Sequence, residues 1–293
     1  MLFRCSFLFV LLLVLCSWGE KAHQKINSSS VDFLPKELRQ LKAWREVLKV
    51  HGSDADFRKK DDKTEFVKHF IDIDNYEDFR TKRSIEPDFE KACQKYGRAR
   101  VIKDGTLPWV TDSTYRKLVH DFKSGDWKRA ALTATDLGHY IGDGFMPLHI
   151  SANYDGQLSG QTGIHRRYEE TMIDRYIYQI QFKNSVCTKV DDVHSFIFSY
   201  LYANQSYLKI LLQADASAYL KAGKQYNEVY YESLWNGTSS FTGKLLEESS
   251  RTLARLIYTA WLEAGKPKIP ELNNEDFIVI ISQDIEPRQS RAM

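Results

Sequence analysis

A short segment of the chain contains a concentration of metal-binding side chains, and their spacing restricts the folds that the chain can adopt. They are His139, Asp143, His149, His165 and Glu169. Residues four apart on an α-helix lie on the same face, so His139 with Asp143, and His165 with Glu169, can each hold one ion. One such pair arises easily by chance, but two pairs with a histidine between them do not. The spacing therefore predicts a multinuclear metal site built by two helices.

The first of these pairs lies near the end of a predicted helix at residues 126–143. The helix has a buried stripe at helical spacing, formed by Ala130, Ala134, Leu137 and Ile141. Gly138 and Gly142 interrupt it, and each costs about 1 kcal/mol relative to alanine in a helix interior. We therefore expect another backbone or an ion to approach the helix closely at these glycines.

The composition permits an enzyme of this kind, and the hydrophobic pattern favours a helical fold. The chain has 293 residues, 43% of them hydrophobic, and a net charge of +2, so it can bury one sizeable core and lacks the charge excess of proteins that coat nucleic acids. No alternating strand pattern of useful length separates the amphipathic stretches, which cover residues 35–50, 114–123, 191–212, 216–231 and 242–264. Turn sequences occur at residues 104–108 and 236–237. We predict an all-α fold with one multi-helix domain at residues 18–268 and a C-terminal tail at residues 269–293.

The N-terminus has the pattern of a secretion signal. Arg4 precedes an apolar run from Phe7 to Leu15, which is too short to span a membrane but suits the core of a signal peptide. We predict a signal peptide at residues 1–17, cleavage before Trp18, and a monomer without an integral membrane segment that is secreted or periplasmic. Lipid attachment at Cys16 is the less favoured alternative, because Leu15 is larger than a lipoprotein signal prefers.

Two cysteines, Cys93 and Cys187, remain after such a cleavage. An oxidising compartment would permit a single disulfide between them. The sequence leaves open whether they pair.

Residues 18–169 resemble the zinc-dependent phospholipase C family and its structural relatives, the fungal single-strand-specific zinc nucleases. Both groups are helical proteins that hold three zinc ions, and every position of their ligand pattern has a counterpart in this chain. The implied zinc ligands are Trp18, His23, Asp56, His69, His139, Asp143, His149, His165 and Glu169. Imidazole and carboxylate ligands without thiolates also suit a catalytic zinc site.

The resemblance also implies how the ligands are shared among the three ions. The first ion would be held by Asp56, His69, His139 and Asp143. The second would be held by His149, His165 and Glu169. The third would be held by the amino group and carbonyl oxygen of Trp18, by His23, and by the second oxygen of a bridging Asp143.

The activity that the resemblance implies is hydrolysis of a phosphodiester by zinc-activated water. Asp56 could also accept a proton from that water and so act as a catalytic residue, although ligation alone is slightly favoured. Arg58 and Lys59 follow closely and could contact a phosphate oxygen, but we expect both to be surface charges.

The phospholipase C branch is the preferred one, with release of diacylglycerol and a phosphorylated head group. Its members end the ligand pattern in Glu, as Glu169 does here, and they have a short interval before the last pair. Phe57 and Phe66 match positions at which choline-binding members place an aromatic box that holds a quaternary ammonium group by cation–π attraction. Lys21 stands where those members have an acidic residue that contacts choline, so we do not expect choline specificity.

Two alternatives remain open. The first is a single-strand-specific nuclease that releases 5′-nucleotides, because Asp72 stands where the fungal enzymes have a base-contacting Asp, and Phe70 or Tyr154 could stack on a base. The second is a non-catalytic zinc-binding protein in which side chains fill all coordination positions. Open coordination positions argue against the second alternative.

Overall fold

The computed structural model describes residues 19–183 and 185–271, and within these ranges all regular structure is helical. The α-helices, in chain order, are α1 (Glu20–Ser30), α2 (Arg45–Val50), α3 (Asp54–Arg58), α4 (Glu77–Lys82), α5 (Phe89–Tyr96), α6 (Arg98–Lys103), α7 (Leu107–Ser124), α8 (Trp127–Gly144), α9 (Ile164–Arg166), α10 (Ile173–Tyr176), α11 (Val193–Gln205), α12 (Tyr207–Lys221) and α13 (Glu228–Glu263). Short 3₁₀ segments lie at Lys36–Trp44, Phe66–Lys68, Ile73–Asn75, Pro147–Ile150 and Ile177–Gln179, and a π-helical segment at Arg167–Met172. The prediction of an all-α fold is confirmed for these residues.

Helix α8 begins and ends close to the predicted positions. Its N-cap is Asp126, whose carboxylate accepts a hydrogen bond of 3.0 Å from the backbone N–H of Arg129. The helix ends at Gly144, and Pro147 then starts the 3₁₀ segment that carries His149. The N-cap residue and the periodic apolar stripe, both local features of the sequence, were thus sufficient to predict this helix.

The middle of the molecule is formed by α1, α8 and α13, which pack against one another. Helix α7 lies along α8 and α12 lies along α13, and α2 covers another side of α1. Two clusters of buried apolar side chains fill the spaces between these helices, one that includes Trp44, Phe122 and Leu253, and one that includes Tyr168 and Leu246. The buried faces of α1 and α8 carry metal-binding side chains as well as apolar ones.

The two glycines in α8 allow side chains of α1 to approach closely, where a backbone or an ion was expected; the structure does not test the approach of an ion. A Cβ atom at Gly138 would lie 2.2 Å from Oδ1 of Asn27, and a Cβ atom at Gly142 would lie 3.0 Å from Cε1 of His23. Asn27 also donates a hydrogen bond of 3.1 Å to the carbonyl oxygen of Thr135. The glycines therefore bring His23 of α1 against the face of α8 that carries the first pair.

Several predicted helix boundaries were wrong. Residues 35–50 form a 3₁₀ segment and then α2, with non-helical dihedral angles at Leu38. The helix predicted at residues 114–123 begins earlier, at Leu107, because proline is tolerated in a first turn. The stretch at 191–212 is divided at Ser206 into α11 and α12. Residues 216–231 are interrupted by Gly223 and Lys224, both with positive φ, whereas the turn predicted at residues 236–237 lies inside α13, which also contains the stretch at 242–264.

Three further predictions concern the two cysteines, the two ends of the chain and the absence of a membrane-spanning segment. Cys93 and Cys187 are buried and are not bonded to each other. The signal peptide and most of the tail, residues 272–293, lie outside the described residues, although Ile269 packs against the core. Among the described helices, none combines the length and the apolar character that crossing a membrane requires.

Candidate metal centre

Eight of the nine predicted ligand residues come together between α1, α3 and α8. His23 lies on α1, Asp56 on α3, and His139 and Asp143 on α8. The remaining four lie in short segments: His69 after the 3₁₀ turn Phe66–Lys68, His149 in Pro147–Ile150, His165 in α9, and Glu169 in the π-helical segment. All are buried except Asp56, whose side chain is 18% exposed. Trp18 lies outside the described residues.

The first group of ligand atoms surrounds one carboxylate oxygen of Asp143. This Oδ2 atom lies 3.0 Å from Nδ1 of His69 and 3.4 Å from Nε2 of His139, and the two nitrogens are 3.0 Å apart. Oδ1 of Asp56 lies 3.5 Å and 3.6 Å from the same two nitrogens. These four residues are the ones expected to hold the first ion.

The second group is the other predicted pair with its flanking histidine. Nε2 of His165 lies 2.8 Å from Oε1 of Glu169, and Nε2 of His149 lies 3.4 Å from Oε2. The two histidine nitrogens are 3.3 Å apart. All three side chains are therefore close enough to bind one metal ion.

His23 adds a further nitrogen to the first group from the side of α1. Its Nε2 lies 3.6 Å from Oδ1 of Asp143, and its ring stacks on that of His139 with 3.9 Å between centroids. His23 could hold an ion together with Asp56 and His139. Since Trp18 lies outside the described residues, the ligand set of the third ion stays a prediction.

Backbone carbonyl groups orient three of the histidines. Nδ1 of His139 lies 2.9 Å from the carbonyl oxygen of Gly52. Nδ1 of His149 lies 2.8 Å from the carbonyl oxygen of His69, and Nδ1 of His165 lies 2.9 Å from that of Tyr154. A ring that donates Nδ1–H to a carbonyl group presents Nε2 on its other side, which is the usual arrangement of a metal-binding histidine. In all three rings Nε2 faces the ligand groups described above.

The ligand groups require a positive charge between them. Both carboxylate oxygens of Glu169 are buried beside histidine nitrogens, and a buried carboxylate is costly unless a charge compensates it. Burial alone would lower the pKa of His149, but Asp143 and Glu169 raise it to about 10. The carboxylates thus attract protons to the imidazoles, and a metal ion would supply the same charge. The donor set fits zinc.

A cavity of about 230 Å³ adjoins the ligands. Three of them, His69, His149 and His165, form part of its wall. The other lining residues are Lys59, Phe66, Phe70, Asp72, Lys103, Leu148 and Tyr154. Phe66 and Asp72 therefore line this cavity as substrate-contacting residues would, whereas Phe57 does not and lies beside Lys60, with 5.8 Å between Nζ and the ring centroid.

Some charged residues occupy positions that the sequence did not indicate. Lys59, expected on the surface, lies at the cavity with its Nζ 2.6 Å from Oδ1 of Asp56. Arg58 is partly exposed and pairs with Asp136 at 3.0 Å. Glu65 and Lys103 were not singled out, although the spacing of four residues between Glu65 and His69 was a usable signal for the former.

Asp72 gives the cavity a titratable group near neutral pH. Burial, followed by the neighbouring Asp74 and Asp104, raises its pKa from the ordinary 3.8 to about 7. Between pH 3.8 and about pH 7, the carboxyl group of Asp72 is protonated in the folded protein but ionised in the unfolded chain. The contribution of Asp72 to the free energy of unfolding therefore decreases as the pH rises through this range and is lowest above about pH 7. We expect Asp72→Asn to be more stable than the wild type at about pH 8 and equally stable at about pH 3.5.

The measurement is urea unfolding of both proteins without metal at these two pH values. Asp191→Asn is the control, because its side chain is 87% exposed and should show no gain at either pH. Equal stability of Asp72→Asn and the wild type at the higher pH would contradict the raised pKa.

In comparisons with known proteins, no family model matches the chain, and no curated protein matches it significantly. The likeness of residues 18–169 to phospholipases C and zinc nucleases therefore rests on the ligand pattern alone. The geometry adds that buried groups of histidine and acidic side chains capable of binding metal ions lie beside a cavity.

Proposed function

We propose that the protein is a zinc-dependent hydrolase that cleaves phosphodiester bonds. The observation that carries the proposal is the position of His69, His149 and His165, which belong to the ligand groups and also form the wall of the cavity. Ions held by these side chains would be reachable by a substrate. The second group also offers only three side chains, as catalytic zinc sites do, whereas structural sites use four. This favours an enzyme over a non-catalytic zinc-binding protein.

Zinc at these ligands would supply charge that neutralises phosphoryl oxygens and would lower the pKa of a water molecule. Lys59 is well placed to add a second cationic contact to a phosphoryl oxygen, because it lines the cavity and its ammonium group lies next to Asp56. Burial alone would raise the pKa of Asp56, but His139 and Lys59 hold it well below its usual range. Asp56 therefore remains a carboxylate, which suits a ligand better than a proton acceptor.

A phospholipid is the first candidate substrate, and its head group should not be choline. Glu169 and the short interval between His149 and His165 favour the phospholipase C branch. Lys59 and Lys103 both line the cavity, and their positive charges would repel a quaternary ammonium group. Lys21 points elsewhere and pairs with Asp174 at 3.2 Å. We expect a neutral or anionic head group.

Single-stranded nucleic acid is the second candidate, and the cavity lining specifically favours it. Phe70 and Tyr154 offer aromatic faces, and stacking of a base on such a ring contributes about 1–3 kcal/mol. Asp72 lines the same cavity and could hydrogen-bond to the edge of a base. Both candidates need the same cleavage chemistry and differ in what fills the cavity.

The test is a parallel assay of the purified, zinc-loaded protein. The substrates are vesicles of phosphatidylcholine, vesicles of phosphatidylinositol, the soluble diester bis(p-nitrophenyl) phosphate, and single-stranded DNA and RNA. Diacylglycerol from phosphatidylinositol with little from phosphatidylcholine supports the first candidate, and nucleotides without diacylglycerol support the second. Bound zinc with no hydrolysis of any substrate would reject the enzyme and favour a zinc-binding protein.

We also propose that the protein is exported and that its signal peptide is removed before Trp18. The amino group created by that cleavage is one of the ligands implied for the third ion. N-terminal sequencing of the protein recovered from outside the cytoplasm tests this directly. A chain that begins at any other residue would remove two ligand atoms from the implied third site.

A further inference from the structure

The carboxylate of Glu65 is buried directly behind the metal-binding histidine His69. The residue is 1% exposed, and its Oε1 lies 3.6 Å from Nε2 of His69. Nε2 of His69 is itself buried and has no partner at hydrogen-bond distance among the described residues. A buried acidic side chain therefore faces the one ring nitrogen of His69 that points away from the ligand group.

His69 is oriented differently from the three histidines that donate to backbone carbonyl groups. Those three direct Nε2 towards the ligand groups, whereas His69 directs Nδ1, which lies 3.0 Å from Oδ2 of Asp143. A neutral imidazole that binds a metal through Nδ1 must carry its proton on Nε2. The acceptor available for that proton is Glu65, a charged group where the other rings have a neutral carbonyl.

Three donors hold the Glu65 carboxylate in place. The hydroxyl group of Tyr140 donates to Oε1 at 2.5 Å, Arg58 donates to the same oxygen at 3.3 Å, and Lys68 donates to Oε2 at 2.7 Å. Two of these donors are cationic, and a cation at hydrogen-bond distance favours the charged form of a buried carboxylate. The side chain is thus an ionised acceptor with a fixed direction.

We propose that Glu65 is a positioning residue that keeps the proton of His69 on Nε2 and directs its Nδ1 lone pair at the first metal-binding group. The proposal rests on the proposed metal binding. Outer partners of this kind fix the tautomer and the ring orientation of a ligand and increase its basicity, and their loss typically weakens metal binding by roughly 10–100-fold. Tyr140 supports Glu65 in turn, because it follows His139 on α8 and reaches across to the carboxylate.

The test compares Glu65→Gln and Tyr140→Phe with the wild type. Zinc content is measured by mass spectrometry, zinc affinity by chelator competition, and the stability of each metal-free protein by urea unfolding. We expect Glu65→Gln to weaken the binding of one zinc ion by roughly 10–100-fold and to leave the zinc affinity of the other sites unchanged. Tyr140→Phe should weaken the same ion less. Glu77→Gln is the control, since its side chain is 71% exposed.

A purely structural role for Glu65 would destabilise the metal-free protein without changing zinc affinity, and that result would overturn the proposal. Equal loss of affinity in Glu77→Gln would overturn it as well. If Glu65→Gln does not fold, Tyr140→Phe decides, and wild-type affinity in that variant counts against the proposal. A wild-type protein that binds no zinc would instead reject the proposed function, so the two failures can be told apart.

Discussion

Replacement of His149 by alanine should remove the second ion and abolish hydrolysis. His149 supplies one of the three side chains of the second ligand group, with its Nε2 3.4 Å from Oε2 of Glu169. Its Nδ1 also lies 2.8 Å from the carbonyl oxygen of His69, so the ring connects the two groups. Removing an outer partner of a metal ligand costs roughly 10–100-fold in affinity or activity, and we expect a larger loss for a direct ligand.

The measurement is zinc per chain together with hydrolysis of bis(p-nitrophenyl) phosphate. His120→Ala is the matched control, because His120 is an exposed histidine outside every ligand group. The variant should lose about one zinc ion per chain, as expected for a site with three side-chain ligands, whereas the control should keep both its zinc and its activity. Substantial turnover by His149→Ala at full zinc content would refute the assignment of His149.

The sequence was most informative where chemistry follows local spacing. The two pairs at positions i and i+4 were predicted from helical periodicity alone, and the structure places Nε2 of His139 3.4 Å from Asp143 and Nε2 of His165 2.8 Å from Glu169. Helix α8 was likewise predicted to within one residue at each end. Both features depend on residues that are close together in the chain.

Features that depend on distant residues could not be predicted in this way. Lys59 looked like a surface charge because nothing near it in sequence reveals the cavity that it lines. The partners of Glu65 include Tyr140, which lies 75 residues away. The glycines of α8 gave a correct signal of close approach, but the approaching groups, Asn27 and His23, belong to a helix more than 100 residues earlier in the chain.

Helix boundaries failed for a related reason. Residues 191–212 have one continuous apolar pattern, although Ser206 separates two helices whose buried side chains belong to different apolar clusters. The opposite error occurred at residues 236–237, where a turn sequence lies within the 36 residues of α13. Packing of that helix against α1, α8 and α12 outweighs a local turn preference.

Replacement of Gly105 by alanine should be the most destabilising single methyl addition near the site. Gly105 has a φ of +93°, and a Cβ atom there would lie 2.1 Å from the backbone carbonyl oxygen of Phe70. The neighbouring backbone is tightly bonded, since Thr106 N–H donates to Val67 at 2.7 Å and Asp72 N–H donates to Asp104 at 2.7 Å. The clash therefore cannot be relieved by rotating a flexible side chain.

The expected cost combines two effects. A left-handed backbone costs a residue with a Cβ atom about 1–2 kcal/mol, and the steric clash with backbone should bring the total loss in the free energy of unfolding to about 3 kcal/mol or more. Because Phe70 follows His69 directly, we also expect displacement of that ligand and weaker zinc binding. Urea unfolding and chelator competition measure the two consequences.

Gly125→Ala is a matched control for the backbone effect of Gly105→Ala. Gly125 also has a positive φ, of +70°, but a Cβ atom there would meet no other atom within 4 Å. This variant should lose only about 1–2 kcal/mol and should keep wild-type zinc affinity, because the turn between α7 and α8 carries no ligand. Equal losses in the two variants would mean that the contact between Gly105 and Phe70 does not restrain the segment that carries His69.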